Sequence, residues 1–398
     1  MHKLVSVLLA CSLVAGCTGA AAQETTTTST TMGTTTATVE PTTTTTLPPV
    51  VEIDGSPGSP LTNFLTAYYG YATGRSEEAP DGVPSPMLPE PGSAADRGTV
   101  KGKVTVADVD GARLAVFKSD KDVIGLVRNA DGWRMVAGRA PSIGVKPWYG
   151  EKPILVAVVG SDARPGEDVA ATRADSIHIL GIDGKGGAAL VGIPRDSWVS
   201  IPGYGTSKIN ASLSAGGPDM MMATFEDLSG LDLTGYVLTG FEGFEHLVDD
   251  VLLPFDLDVP FTFSDRAAKA DFVAGIQTVD GRAALSFART RKAFTSGDFQ
   301  RQLNGGLLLI AALGGAKIRG PLAFPEIIAG TQEWMLTDLS PGQLLAFALA
   351  ADAVSLTEID NMVLAGRNAT TSGGAAIVRL DEAAAAAVFA DLADGSLD

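Results

Sequence analysis

The stretch ILVAVVGSDARPGEDVAATRADSIHILGIDGKGGAALVGIPRDSWVSIPGYGTSKIN, residues 154–210, decides the fold. It contains three apolar runs, at 154–159, 177–182 and 188–193. Each is short, rich in branched residues and bounded by Gly, Pro or Asp, the pattern of a buried strand. The second and third runs are separated by Asp183-Gly184-Lys185-Gly186-Gly187, a hairpin signal. The expected path is therefore up, down, up.

That path gathers charge. Ser161-Asp162-Ala163-Arg164 leaves the first run, Arg173-Ala174-Asp175 enters the second, and Arg195-Asp196 leaves the third. All three clusters fall at one end of the sheet, with Asp162 and Asp175 facing each other among arginines. Asp–Arg pairs at strand ends are commonly solvated salt bridges of little consequence. Three at one edge, with more arginines further on, point instead to a divalent cation and a polyphosphate.

The chain opens MHKLVSVLLACSLVAGC, a basic tip, an apolar run and small residues, which is the pattern of a secretory signal peptide. Val14-Ala15-Gly16-Cys17 resembles a bacterial lipobox, which implies cleavage at residues 1–17 and lipidation of Cys17. Cys11 leaves with the signal, so the mature chain has no disulfide. Residues 18–57 are Thr-rich without apolar periodicity and read as a disordered tether. About 30 such residues span roughly 30 Å as a coil, enough to hold a folded body just off a membrane. The net charge of −17 argues against nucleic acid as a partner. It also makes a local cluster of arginines more informative.

Residues 58–148 read as a small α+β accessory domain. A helix is expected at 61–72, then strands at 100–106, 112–117, 124–127 and 133–136, turned by Asp110-Gly111 and Asp131-Gly132. No motif there carries chemistry. Residues 149–396 read as the larger domain. Pro218 starts a helix that Gly230 ends, and the Met220-Met221-Met222 run on it is expected in the core. Phe241, Phe244, Leu247, Val248 and Val251 mark an amphipathic helix. His178 and His246 lack the neighbours of a triad or a zinc site and are read as structural.

Asp280-Gly281 opens a second charged stretch, with a helix expected at 282–288. Arg289 and Arg291 are two apart, so they serve one anion only if the helix ends near Arg289. Arg301 begins the next helix, just after Gly297-Asp298-Phe299. Helices at 305–318, 341–354 and 382–391 and strands at 362–365 and 376–380 complete an α/β sandwich with helices on both faces.

Taken in order, GSDAR (160–164), RAD (173–175), IPRD (193–196), IPGYG with KIN (201–210), GFEGFEHLVD (240–249), VDG (279–281), ARTR (288–291) and GDFQR (297–301) resemble the LytR-CpsA-Psr (LCP) family of cell-wall glycopolymer ligases. The resemblance implies a three-layer α-β-α sandwich with a mixed central sheet. It also implies transfer of a glycopolymer from a polyprenyl-pyrophosphate carrier to peptidoglycan, with associated pyrophosphatase activity, at the outer face of the cytoplasmic membrane. Carried over by position, Asp162 and Asp175 hold Mg²⁺ (or Mn²⁺). Arg164, Arg173, Lys208 and Arg301 bind the pyrophosphate of the lipid carrier. Arg195, Asp196, Arg289, Arg291 and Asp298 form the catalytic set, with Asp196 or Asp298 as the base. Metal and arginines are the equipment that displacement at a pyrophosphate needs. An anchor at Cys17 suits a membrane-bound donor. The chain departs from the family where a second Arg and a Gln are usual, having Asn304 and Gly305. That departure opens an alternative, a non-catalytic binding protein for polyprenyl pyrophosphate or wall polymer.

Overall fold

The computed structural model describes residues 49–397, so the signal, the lipobox with Cys17 and most of the Thr-rich segment lie outside the described residues. The first element is the strand β1 (Val51–Asp54), followed by the helix α1 (Ser59–Ala72). Then come β2 (Val100–Val109), β3 (Ala112–Ser119), β4 (Val123–Asn129), β5 (Gly132–Ala140) and β6 (Val145–Trp148). They form one six-stranded sheet in chain order, with β1 parallel to β2 and the rest antiparallel. The four expected strands are present, each longer than its apolar run. β1 corrects the tether drawn to residue 57. Its four residues, VEID, are too short to show a period, and only pairing with β2 makes them a strand.

Strand alternation explains why this sheet is not insulated. On β3, Ala115 and Phe117 face α1 and join Leu61, Leu65, Tyr68 and Tyr69 in one core. Leu114 and Val116 face the other way, into a second core shared with the rest of the chain. Both faces are apolar, so both must be covered. The separate accessory domain expected at 58–148 is therefore corrected: its sheet is one layer of the larger body. Gly125 on β4 shows how close the layers lie, since a Cβ there would sit 2.4 Å from Leu349 Cδ1.

The central sheet starts with β7 (Ile154–Ser161), β8 (Ala174–Ile182) and β9 (Ala188–Gly192), antiparallel in register as the sequence pattern requires. A hairpin of β10 (Trp198–Ile201) and β11 (Gly205–Lys208) precedes α2 (Ala211–Ser229). Within α2 the backbone is non-helical at Gly216 and Gly217, so Pro218 starts a fresh helical segment, as expected, and Gly230 caps it at φ 70°. β12 (Gly235–Thr239) lies parallel to β7 and leads into α3 (Phe241–His246), which continues as a π-helical turn at Leu247–Leu252.

Two small antiparallel ribbons follow. β13 (Phe255–Val259) pairs with β16 (Gly275–Val279), and β14 (Phe263–Asp265) pairs with β15 (Ala270–Phe272). Next are α4 (Gly281–Arg289), α5 (Asp298–Arg319) and α6 (Phe324–Thr331). The chain ends with β17 (Leu336–Thr337), α7 (Pro341–Ala353), β18 (Ile359–Val363), β19 (Gly366–Thr370), β20 (Ala376–Leu380) and α8 (Glu382–Leu392).

The central sheet has the order β17-β12-β7-β8-β9-β18 and is mixed. Leu155, Ala157, Ile177, Ile179 and Val191 face α2 and α8, where they meet Leu213, Phe225 and Phe389. Met221 is buried in the same core, with Met220 and Met222 packed on it, so the Met run is core. Ile154, Val156 and Ile182 face Phe324, Ile328, Leu345 and Leu349 of α6 and α7. Each fully buried side chain of this size contributes roughly 1.5–3 kcal/mol, which ties the helices to both faces. The three-layer α-β-α sandwich is thus present, with the six-stranded sheet added beyond α7.

Candidate functional site

A cleft of about 420 Å³ opens at the end of the central sheet where β7 runs out and β8 begins. Its inner wall is apolar and includes Val158, Phe244, Leu285, Leu308 and Leu309. Its mouth carries the exposed Arg164, Arg289, Arg291 and Lys292, and its lining also includes Arg195, Arg301 and the carboxylates Asp162, Asp175 and Asp265. In a chain of net charge −17, six cations facing three acids make a marked local reversal.

Local features deliver Arg289, Arg291 and Lys292. α4 is capped by Asp280, whose Oδ1 accepts from Ala283 N–H at 2.7 Å. It stops at Arg289 because Thr290 takes an extended conformation, ψ 126°. Arg289 therefore ends a helix and Arg291 sits on an extended exit, and both reach the cleft. Arg289 lies over the Phe241 ring, its Cζ 4.4 Å from the centroid.

The exit is pinned by Asp265. Its Oδ2 accepts from the N–H groups of Arg291 (3.0 Å) and Lys292 (2.7 Å), and its Oδ1 from Ala267 (2.9 Å) and Ala268 (3.3 Å). Burial pushes this carboxyl up, but the four N–H groups outweigh burial and hold it below its ordinary value. Sequence reasoning missed Asp265. Its Asx-turn is ordinary, and nothing local points to Arg291, 26 residues on.

Under the mouth, three ion pairs and one backbone hydrogen bond close a ring. Arg195 Nη1 donates to Asp175 Oδ1, and Arg301 Nη2 donates to Asp298 Oδ1. Arg301 Nη1 is 3.7 Å from Asp175 Oδ2, and Arg195 N–H donates to Asp298 Oδ2 at 2.9 Å. Burial raises the Asp298 carboxyl and lowers the Arg301 guanidinium. For Arg195, burial is opposed and overcome by Asp175, so its charge is favoured. The Nε atoms of Arg195 and Arg301 are buried and have no hydrogen-bond partner among the described residues.

The remaining expected residues sit around this centre. Asp196 is behind the mouth, 2.8 Å from Lys208 and 4.0 Å from Arg291. Asp298 lies beneath the floor, 7% exposed. Arg173 is exposed and is not among the lining residues, but its N–H donates to Asp162 Oδ1 at 3.0 Å. Asp162, Arg164, Asp175, Arg195, Arg289, Arg291 and Arg301 come together in the cleft.

The donor set bears on a metal. Among the described residues no three or more His, Cys, Asp or Glu side chains converge as a metal-holding group. Of the three lining carboxylates, Asp175 is committed to two arginines and Asp265 to four N–H groups, while Asp162 Oδ2 has no hydrogen bond or ion pair among the described residues. One carboxylate oxygen without a partner and one shared carboxylate would fit a largely hydrated Mg²⁺, not an all-protein cage.

Behind the cleft, Gln302 locks α5 to β8. Its side chain accepts from Ile177 N–H at 3.2 Å and donates to Asp175 O at 3.3 Å, and its carbonyl accepts from His178 Nε2 at 2.8 Å. A Cβ on Gly305 would meet His178 Cε1 at 2.7 Å, which gives a packing reason for glycine there. His178 is fully buried, and burial lowers its pKa from 6.5 to about 4. The folded imidazole stays neutral while the unfolded one gains a proton, so this contribution to stability is present above the unfolded pKa and lost as pH falls. Between about pH 6.5 and 4 the expected loss is up to about 3 kcal/mol. Urea unfolding of wild type and His178→Asn across that range checks it, and parallel curves would refute it. His246 instead stacks on Trp334, with centroids 3.9 Å apart, and bonds Asp250 at 2.6 Å.

A positively charged mouth with orphaned guanidinium nitrogens above an apolar wall defines a cleft suited to a phosphate-bearing amphiphile. The chain belongs to the LytR_cpsA_psr family, whose model matches residues 135–394. It is 34% identical over 191 residues to the "Probable cell wall biosynthesis protein LcpB" of Corynebacterium glutamicum, covering 43% of this chain and 45% of that one. It is 31% identical over 197 residues to the "Polyisoprenyl-teichoic acid--peptidoglycan teichoic acid transferase TagU" of Bacillus mycoides, covering 48% and 62% respectively. The match thus spans about half the length of these relatives. Among solved structures, B. subtilis TagV aligns at a TM-score of 0.52 with 24% identity, over 61% of this chain and 96% of that one. The Lin1025 protein from Listeria innocua aligns at 0.51 with 25% identity, over 63% and 99%.

Proposed function

We propose that this protein transfers a glycopolymer from a polyprenyl-pyrophosphate carrier to peptidoglycan in cell-wall assembly. The observation that carries this reading is the convergence of Arg164, Arg195, Arg289, Arg291 and Arg301 on one cleft with an apolar wall. The arginines bind and orient the diphosphate, since their planar forks match phosphate oxygens in pairs. The apolar wall takes the near part of the prenyl chain and keeps water from it. Asp162 and Asp175 would hold Mg²⁺, which would supply neutralisation of the diphosphate charge. A peptidoglycan hydroxyl oxygen bonds to the phosphorus that bears the glycopolymer. The bridging P–O bond breaks, and polyprenyl phosphate leaves with its charge held by the arginines. Asp196, which lies 4.0 Å from the lining Arg291, takes the hydroxyl proton. Asp298 holds Arg195 from below instead of taking that proton itself. Lipidation of Cys17 keeps the body at the outer face of the membrane, where the donor resides.

The test is phosphate release from geranyl pyrophosphate by the purified protein, with Mg²⁺ and with EDTA. Release that EDTA abolishes is expected, and Asp162→Asn is expected to remove the response to Mg²⁺. An unchanged metal response in that variant would move the ion elsewhere. A second reading, retention of polyprenyl pyrophosphate without transfer, is favoured by one observation: Asn304 is fully buried and accepts from Gln300 Nε2 at 3.0 Å, so it adds no cation to the cleft. Tight lipid binding with no release in any metal would establish that reading.

A further inference from the structure

We infer that the β10–β11 hairpin is a glycan-binding arm that seats the acceptor sugar chain beside the cleft. The inference rests on the transfer reading above and assigns the acceptor's surface, which the arginine cleft does not include.

The arm starts and ends at the cleft. Asn210 N–H donates to Arg195 O at 3.2 Å, and Ile209 N–H donates to Ser197 O at 2.8 Å. Residues 197–209 therefore leave the backbone of a lining arginine and return to it. At the base, Lys208 pairs with Asp196 at 2.8 Å, and Asp196 lies 4.0 Å from Arg291. The base of the hairpin therefore adjoins residues that line the cleft.

Its two faces differ. Val199 and Ile201 are buried in the core with α2, which fixes the hairpin's inner face. The register pairs Trp198 with Lys208 and Ser200 with Thr206, so those four share the outer face. Ser200 and Thr206 are exposed and Trp198 is half-buried. Tyr204 stands at the tip, 57% exposed. The tip is a tight turn: Gly203 and Gly205 take φ 76° and 99°, and Tyr204 N–H donates to Ile201 O at 3.0 Å. The outer face thus carries an aromatic ring and two hydroxyls, and a second aromatic stands at the tip.

Charge selects the occupant. Across residues 197–209 the one charged side chain is Lys208, and Asp196 neutralises it. A surface segment without free charge, on a chain of net −17, does not suit a polyanion or a polycation. Aromatic faces offer an apolar platform with a polar rim, and hydroxyls both donate and accept. That combination matches an uncharged sugar ring, with C–H groups on its face and hydroxyls at its edge. The occupant is a glycan strand of peptidoglycan, lying on the arm with one hydroxyl at the cleft.

The experiment is co-sedimentation of the full chain with peptidoglycan sacculi stripped of attached polymers. Wild type is expected to bind. Tyr204→Ala is expected to weaken binding about tenfold, the scale of a lost aromatic anchor, and Tyr204→Phe to retain it. The exposed pair Ser200→Glu/Thr206→Glu places carboxylates on the strip, and an equal loss is expected with an unaltered melting temperature. Undiminished binding by Tyr204→Ala and by the double variant overturns the arm, as does absence of binding by wild type. Phosphate release is measured separately. Its absence, with sacculus binding still lost in the variants, retires the transfer reading and leaves the arm standing as a glycan surface.

Discussion

Arg289→Ala is expected to lower phosphate release from a prenyl pyrophosphate about 10²–10³-fold, the scale of one lost donor to a developing anion. Its melting temperature should stay near that of wild type. The reason is its setting. Arg289 is exposed, at the last turn of α4, and makes no ion pair closer than 4.0 Å among the described residues. Among the described residues its partner is the Phe241 face, a contact worth about 0.5–1 kcal/mol at an exposed site. Almost all that the side chain does is aimed into the cleft. Stopped kinetics and a thermal melt on the same preparation decide the matter. Activity within a few-fold of wild type would show that the diphosphate does not use this arginine. A melting point far below wild type would show that α4 depends on it. If the guanidinium grips the diphosphate equally before and during the reaction, the loss falls in KM; if it acts on the leaving phosphate, it falls in kcat.

What made Arg289 visible in advance was a local constraint. Two arginines two apart can serve one anion only where a helix gives way to extended chain, and Thr290 provides that change. The hairpin of residues 154–193 was legible for a similar reason: three apolar runs with turn residues between them leave one path. Asp265 and Gln302 were not legible. Each works through partners distant in sequence, Asp265 on Arg291 and Lys292, Gln302 on Ile177 and Asp175. A carboxylate in an Asx-turn and a polar residue in a helix carry no mark of what a fold brings to them. The boundary at residue 148 failed on the same ground. The strands of the N-terminal sheet were visible, but a strand apolar on both faces does not say whose helices cover the second one. Here they are α6 and α7, from the far end of the chain. Gly305 is the converse case. As sequence it is an absence, and in the fold it is the space His178 occupies.

Arg301→Met should cost stability that Arg289→Ala does not. Arg301 is 8% exposed and Asp298 7% exposed. Removing the guanidinium strands a buried carboxylate, for which the expected penalty is about 3–5 kcal/mol. The residual charge can be relieved at its source. In Arg301→Met/Asp298→Asn the amide oxygen still accepts Arg195 N–H, and no buried charge is left over. The double variant is therefore expected to regain most of the lost stability, while phosphate release stays absent, since the cleft still lacks Arg301. Urea unfolding at fixed pH measures the first part and the release assay the second. The pH dependence gives an independent sign. Burial already raises the Asp298 carboxyl with Arg301 in place, and loss of that cation raises it further. Acid then lets the stranded carboxylate protonate, so the deficit of Arg301→Met relative to wild type must shrink as pH falls. A deficit that is constant with pH would mean that the ring of Arg195, Asp175, Arg301 and Asp298 is held by shape and not by charge.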